Sequence, residues 1–487
     1  MAASELSYEK GESSGGIKDG GEWMISIMEE KSLPPQRDKI QKVVPQLRKG
    51  TQNNESFDPA IVSIGPYHHG RPELKEMEIF KARMARSFVA DSERDIQEFR
   101  NKILEVVSDA RSCYLDGSTD AYDDEAFVRM MFVDGCFLLY FIEKYLQNES
   151  EDLTELSEHL GYGRQPMLMG DLILLENQLP FLVLQTLAST RCPEDQGKGF
   201  INLIETFIDK SFLTDLDSTR KKRYSYSTKY DGDEQPLHIL ELARRRCVCS
   251  HSPAMTGQIS SSEGEESEDQ PRRCSFNPPS WSIFEKRLRG HRATKQEDSV
   301  NDMFRSSFRS ATELKARGIH FRPSNTCFLN DFTFTSRCLY GVVKIPQVLV
   351  GDQTKKVFLN MMADELAPSR VDKLDVCCYI YFMNSLINGA DDVIELRSHN
   401  IIHNFLGTDE EVAKLFNALS SFTVIPIQTG KIKDVTERIQ EHYNSKRKTW
   451  TAQLLHNYFS SPWAVFAFFA ATFALVLTFI QTFFPRN

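Results

Sequence analysis

Residues 127–145 read FVRMMFVDGCFLLYFIEKY, an apolar run interrupted only by Arg129, Asp134, Glu143 and Lys144. Such a stretch has no wide polar face, so as a helix it belongs in the centre of a body rather than on its surface. Everything around it is then expected to supply helices with one apolar face each. The chain does so on both sides. After Gly70, Pro72 suits a first helical position, and Met77, Phe80, Met84 and Phe88 recur on one face. Ile96, Phe99, Ile103, Val106 and Ala110 repeat at three- and four-residue steps, and Ile201, Ile204 and Ile208 mark a further helix. Met167 to Gln178 reads as helix, with Pro180 kinking it or starting a new one. Thr408-Asp409-Glu410-Glu411 is a capping-box pattern ahead of Val412, Leu415 and Phe416.

One region has a different period. Asp331-Phe332-Thr333-Phe334-Thr335 alternates, and 339–350 is rich in β-branched residues and broken by Gly341 and Pro346. Phe328 to Val350 is therefore expected to form two or three short strands packed on the helices, with Asp352 as a cap for a helix carrying Val357, Leu359 and Met362. The fold class expected is mainly α: a multi-helix body with a small β element at about 328–350 and one C-terminal transmembrane helix.

The last expectation comes from the tail. No Asp, Glu, Lys or Arg occurs from Thr449 to Pro485, and Trp463 to Phe484 is nearly continuous in apolar residues. A helix of that length would reach about 33 Å, against a bilayer core of about 30 Å. Lys446-Arg447-Lys448 precedes the run and Arg486 follows it, which would place the N-terminal body in the cytosol, single-pass and tail-anchored. The membrane lipid would then be one partner, through Trp463 to Phe484. Ala467, Ala470, Ala471 and Ala474 could pair two such helices into a homo-oligomer, although alanine is common in these segments anyway.

The 487 residues suffice for two or three domains or one large body with insertions, and 41% hydrophobic with 26% charged residues is an ordinary globular balance. A formal charge of −10 excludes nucleic acid as an expected partner, because phosphate recognition needs a concentrated basic face. The ten cysteines form no C-x-x-C pair, a pattern of reduced, buried thiols. Residues 1–37 read as a disordered tail without the apolar core of a secretory signal. The body spans 38–461, with a disordered insertion at about 250–300. There Ser260 to Ser262, acidic Glu263 to Asp269 and basic Lys286 to Lys295 leave little apolar surface to bury. The span 462–484 is the transmembrane segment.

Candidate chemistry is sparse. Cys247, Cys249, His251, Cys274 and His291 fit no zinc spacing. His68 and His69 sit together in a Gly/Pro turn, where they would bond backbone or face a partner. Asp134-Gly135-Cys136 could make Cys136 a nucleophile oriented by His68 or His69. Burial in an apolar helix would instead leave that thiol inert and Asp134 bonded to backbone. Glu176-Asn177-Gln178 could contribute an acid–base carboxylate with Asp171 or Asp134, or could satisfy backbone groups freed near Pro180. No phosphate loop, dinucleotide fingerprint, nucleophile elbow or H-E-x-x-H occurs, so no catalytic, cofactor-binding or metal-ligating residue is assigned.

In order along the chain stand Val43-Val44-Pro45-Gln46-Leu47-Arg48, Val62-Ser63-Ile64-Gly65-Pro66-Tyr67-His68-His69-Gly70, and Asp134-Gly135-Cys136-Phe137. Asp171-Leu172 follows, then Leu174-Leu175-Glu176-Asn177-Gln178-Leu179-Pro180-Phe181 and Ala311-Thr312-Glu313-Leu314. Read together with Ile345-Pro346, Asp352, Asn360, Asp392-Val393 and Pro462-Trp463, these resemble the plant family catalogued as domain of unknown function 247. Two positions depart from its usual pattern: Tyr140 stands where a Glu is common, and Asp364 where an apolar residue precedes Glu365. The resemblance implies a plant membrane protein without established enzymatic activity, and it supplies no catalytic residues. Some grass relatives are regarded as pollen-side candidates in self-incompatibility, which implies protein recognition for those members. The expected function is that of a membrane-anchored component facing the cytosol that binds as yet unidentified protein partners. Two alternatives stand beside it: an enzyme gathering Asp134, Cys136, Glu176 and His68 in one pocket, and a structural membrane adaptor.

Overall fold

A computed structural model describes residues 38–50, 54–147, 151–212, 235–248, 309–324, 326, 328–337, 340–370, 374–420, 431–445 and 462–483. The two segments expected to be disordered, 1–37 and about 250–300, lie outside the described residues.

The central helix runs Asp124–Gln147, and its apolar residues from Phe127 to Ile142 are almost all buried. Phe137, Phe141 and Tyr145 stack along one side of it at centroid distances of 5.9 and 6.0 Å, and Phe207 meets the last two edge-on. Such four-residue spacing keeps rings on one face, where pairing adds to the area they bury. Around it pack the helices Lys75–Ala90, Ile96–Glu105, Phe181–Arg191 and Lys198–Ser211. Most of the expected face positions are buried, namely Met77, Phe80, Met84 and Phe88, then Phe99, Ile103 and Ala110, then Ile204 and Ile208, whereas Val106 and Ile201 are half-buried and Ile96, at the start of its helix, is 50% exposed. The helix expected through Ala110 breaks at Val106 and resumes as Val107–Ser112.

A second helical group follows the β element: Thr354–Glu365, Asp375–Leu386, Ala390–Ser398 and Asp409–Ser420. The capping box is formed as read, since the Glu411 amide donates to Thr408 Oγ1 and the Thr408 amide to Glu411 Oε2, both at 3.2 Å. Asp352 caps nothing; Gln353 occupies the cap position of Thr354–Glu365 without a side-chain bond.

The β element is larger than the sequence shows. Strands β1 (Ile319–Pro323), β2 (Thr333–Ser336) and β3 (Gly341–Ile345) form a sheet in the order β1-β3-β2, with β1 parallel and β2 antiparallel to β3. Strands β4 (Val348–Val350) and β5 (Ile402–Asn404) make a separate parallel pair. Thus β2, β3 and β4 fall within 328–350, whereas β1 and β5 lie outside it.

The C-terminal transmembrane helix needs correction. A helix forms at Pro462–Phe483, 22 residues long, but among the described residues no helix is long and apolar enough to cross a membrane. The fold class is a mainly helical body with a small β element.

Candidate functional site

The helix expected from Met167 to Gln178 ends at Asp171. Its termination is chemical. Asn177 Nδ2 donates to the Asp171 carbonyl at 2.9 Å, and Gln178 Nε2 donates to the carbonyls of Leu172 and Leu174 at 3.0 and 2.8 Å. These amides offer the backbone partners that a continuing helix would otherwise supply. The polar triplet therefore serves backbone, as one of its two readings had it, and the irregular segment it creates faces residues 57–65, which form neither helix nor strand.

That second segment is held almost entirely by its own amides. Asp171 accepts from Ala60, Ile61 and Val62, the shortest bond being 2.6 Å from Ile61, and Lys356 Nζ adds a contact at 2.8 Å. Asn177 Oδ1 accepts from Ile64 at 2.7 Å while its amide donates to the Val62 carbonyl. Asp134 Oδ2 accepts from Gly65 at 2.9 Å, and its other oxygen meets Lys81 Nζ at 2.5 Å. From farther along the chain, Asn360 accepts from Leu175 and donates to the Ser56 carbonyl. Buried backbone donors left alone would each cost about 1–3 kcal/mol, so these side chains carry a large share of the seam.

At the outer end of the seam three landmark segments meet. Glu176 Oε1 accepts from the Val43 amide at 2.7 Å, and its Oε2 takes Arg48 Nη2 at 2.6 Å. Arg48, on the helix Pro45–Gly50, also bonds Asp58 at 2.9 Å. The turn after Gly65 brings in His68, whose Nε2 lies 3.6 Å from Glu176 Oε2. Its φ of +73° and the approach of the Gln178 carbonyl to within 2.7 Å of where a Cβ would stand require glycine at 65. Together with Lys42, Tyr67 and Arg71 these residues line an open cleft of ≈ 420 Å³.

His68 is 1% exposed, and neither ring nitrogen has a hydrogen-bond partner among the described residues. Burial, then the nearby Arg71, pushes its pKa down to about 4, so the ring is neutral at physiological pH. This departs from the expected bond to backbone. His69 is exposed and stands edge-on to Tyr122. Tyr67 donates to the Ile40 carbonyl at 2.6 Å, and burial raises its pKa. One nitrogen of His68 and one oxygen each of Asp58 and Glu176 lie within 4.8 Å of one another, a set of atoms that could face a cation. The guanidinium of Arg48 already bridges those two carboxylates.

Of the four residues that could have formed one catalytic pocket, the cleft is lined by His68 and Glu176 alone. Asp134 is buried in its pair with Lys81, and Cys136 is fully buried, its thiol pushed far up by burial. The residues that spacing did not single out are Lys42, Asp58 and Arg71. Arg48 had a signal, as the last member of the V-P-x-x-L-R run.

A second buried charge cluster explains one departure. Asp364 meets Arg370 at 2.5 Å and Arg244 at 3.2 Å, and Glu241 meets Arg370 at 3.1 Å. An acid at 364 is thus neutralised in place. Burial works against the Glu241 carboxylate, but Arg370, His238 and Arg245 outweigh it and bring its pKa to about 2.

Comparison with known proteins gives a consistent result. The family model described as a plant protein of unknown function, DUF247, matches residues 40–477. A UPF0481 protein of Arabidopsis thaliana is 27% identical, the match covering 88% of this chain and 83% of that protein. Another UPF0481 protein of the same plant is 23% identical over 88% of this chain and 87% of its own length. No solved structure gives a significant match.

Proposed function

The chain belongs to the DUF247 family of plant proteins of unknown function, and from that premise we propose that it is a non-enzymatic component that works by binding other proteins. The observation that supports this reading is how the polar residues of the landmark segments are used. Asp134, Asp171, Asn177 and Gln178 are consumed in holding backbone, and Glu176 shares its oxygens between the Val43 amide and Arg48. At the outer end of the seam lies a charged, open cleft with no Ser, Thr or Cys among the described residues that line it. Its two carboxylates, Asp58 and Glu176, are engaged by Arg48 and the Val43 amide, an arrangement that suits recognition better than group transfer, which needs a nucleophile free to attack.

Proximity labelling in plant cells with the full chain, run beside the Lys42→Gln/Arg71→Gln double variant, tests the proposal. A set of neighbours labelled by the wild type and lost in the variant is expected; identical labelling by both removes the cleft from the reading. Turnover of a small substrate by the purified chain, abolished by Glu176→Gln or Cys136→Ser at unchanged stability, overturns the non-enzymatic reading itself.

A further inference from the structure

We propose that the cleft between Pro45–Gly50, the turn at 66–71 and Glu176 receives the carboxylate side chains of an acidic segment of a partner protein. This inference rests on the protein-binding reading and adds the chemistry of the partner.

Five charged side chains line the cleft: Lys42, Arg48 and Arg71 against Asp58 and Glu176. The balance is one positive charge in a chain whose formal charge is −10, so a local positive site stands out against the whole. The three cations are not equivalent. Arg48 is committed to both carboxylates, at 2.9 and 2.6 Å. Arg71 stands 3.8 Å from Asp58 and 4.0 Å from Glu73, beyond hydrogen-bond distance. Lys42 lies over the Tyr67 ring at 5.3 Å and has no carboxylate within bonding distance among the described residues. Two cationic groups therefore retain donors for an incoming carboxylate, and an arginine can take one through two parallel bonds.

His68 is the independent observation. A buried imidazole without any hydrogen bond is costly unless something from the cleft completes it. The neutral ring has one N–H to give; both its nitrogens are closed to solvent, so a carboxylate seated between Lys42 and Arg71 takes that N–H when the His68 side chain turns toward the cleft. A metal ion is the competing occupant for the Asp58, His68 and Glu176 atoms. The place it would take between the carboxylates is already held by the Arg48 guanidinium, and Arg71 and Lys42 would repel a divalent charge at short range. The open form of the cleft also favours a projecting side chain over a free small molecule, since small-ligand sites enclose most of the ligand surface.

The test uses the purified full chain and a fluorescent, acetylated and amidated peptide carrying four consecutive glutamates, with its glutamine counterpart as control. Anisotropy titration is expected to show saturable binding of the glutamate peptide alone. The affinity should fall about tenfold or more in Lys42→Gln/Arg71→Gln, and steeply with added salt. Because both substituted residues reach solvent, the melting temperature of the double variant should match the wild type. Equal binding of the two peptides, or none at millimolar concentration, overturns the inference. Displacement of the peptide by inorganic phosphate at submillimolar concentration would make the cleft a site for small anions instead. Saturable binding of zinc chloride, lost in His68→Gln, would make it a metal site. Failure of the peptide with variant-sensitive labelling retained in cells overturns this inference and leaves the protein-binding reading standing.

Discussion

Lys81 and Asp134 meet at 2.5 Å with side chains 0% and 2% exposed, an ion pair sealed between the helices Lys75–Ala90 and Asp124–Gln147. Burial pushes the Asp134 pKa up against the pull of Lys81. At Lys81 burial works against the ammonium, but Asp134 and then Glu78 outweigh it and hold the pKa above its usual value. The pair also fixes the Gly65 amide, so its loss reaches beyond two side chains. Lys81→Met strands a buried carboxylate and should cost about 3–5 kcal/mol. Urea unfolding of the purified variant measures it, and a loss below about 1 kcal/mol would show that the pair is dispensable.

Residues 60–65 belong to no helix or strand, yet the amides of Ala60, Ile61, Val62, Ile64 and Gly65 are all bonded to side chains. Hydrogen exchange should find these five amides protected in the wild type. Asp171→Ala should release the first three selectively and cost on the order of 4 kcal/mol, since a buried charge partner of Lys356 is lost too. Uniform exchange across 57–65 in both proteins would contradict the seam.

Two buried groups respond to pH with opposite signs. His68 falls from 6.5 in the unfolded chain to about 4, mainly through burial, so only the unfolded state takes the proton between these values and stability is lost as pH falls. Glu365 rises from 4.5 to about 7, again through burial, so the native state keeps the proton and stability is lost as pH rises through that window. Each contributes roughly 3 kcal/mol, and in the wild type they largely cancel between pH 4.5 and 6.5. His68→Gln should uncover Glu365: relative to wild type, the variant loses about 3 kcal/mol between pH 4.5 and 7. Parallel stability profiles for the two proteins would refute the cancellation.

Gly65 and Gly70 both have positive φ, +73° and +81°, but only Gly65 is crowded. A Cβ there would stand 2.7 Å from the Gln178 carbonyl and 3.0 Å from the Tyr114 hydroxyl that donates to it, whereas nothing lies within 4 Å at Gly70. Gly70→Ala should cost about 1–2 kcal/mol for the backbone alone. Gly65→Ala should cost at least about 2 kcal/mol more, as that carbonyl cannot move without breaking the seam. Thermal unfolding of the two variants side by side isolates the steric part.

Much of the helical frame is readable from apolar spacing, because helices such as Lys75–Ala90 and Lys198–Ser211 bury one face each and show it within a few turns. What escapes is decided by distant partners. β1 reads Ile-His-Phe-Arg-Pro, an alternation only four residues long before Pro323, and β5 is three residues long; both are too short to stand out until β3 and β4 pair with them. The helix after Met167 looks continuous in apolar content and stops because Asn177 and Gln178 take its carbonyls. The tail misled in the other direction, since composition alone suggested a membrane crossing. In the cleft, Arg48 and Glu176 are 128 residues apart, and no local spacing relates them. The His68 turn and the polar triplet were visible as unusual; their meeting was not.

The seam has a consequence for how the protein is made. The stretch that holds Ile61, Val62 and Ile64, all buried in the finished fold, leaves the ribosome early. Its partners arrive late: Asp171 comes 110 residues after Ile61, and Asn360 follows Ser56 by 304. At about 5–20 residues per second, the second interval alone lasts roughly 15–60 s. Until Asp134, Asp171 and Asn177 emerge, an apolar strip with unpaired amides is available to any other chain, and after that the Ser56 carbonyl and the Leu175 amide still wait for Asn360. Nascent products that stop short of residue 177 never pair those amides, and they are the forms in which chaperone binding and aggregation should concentrate.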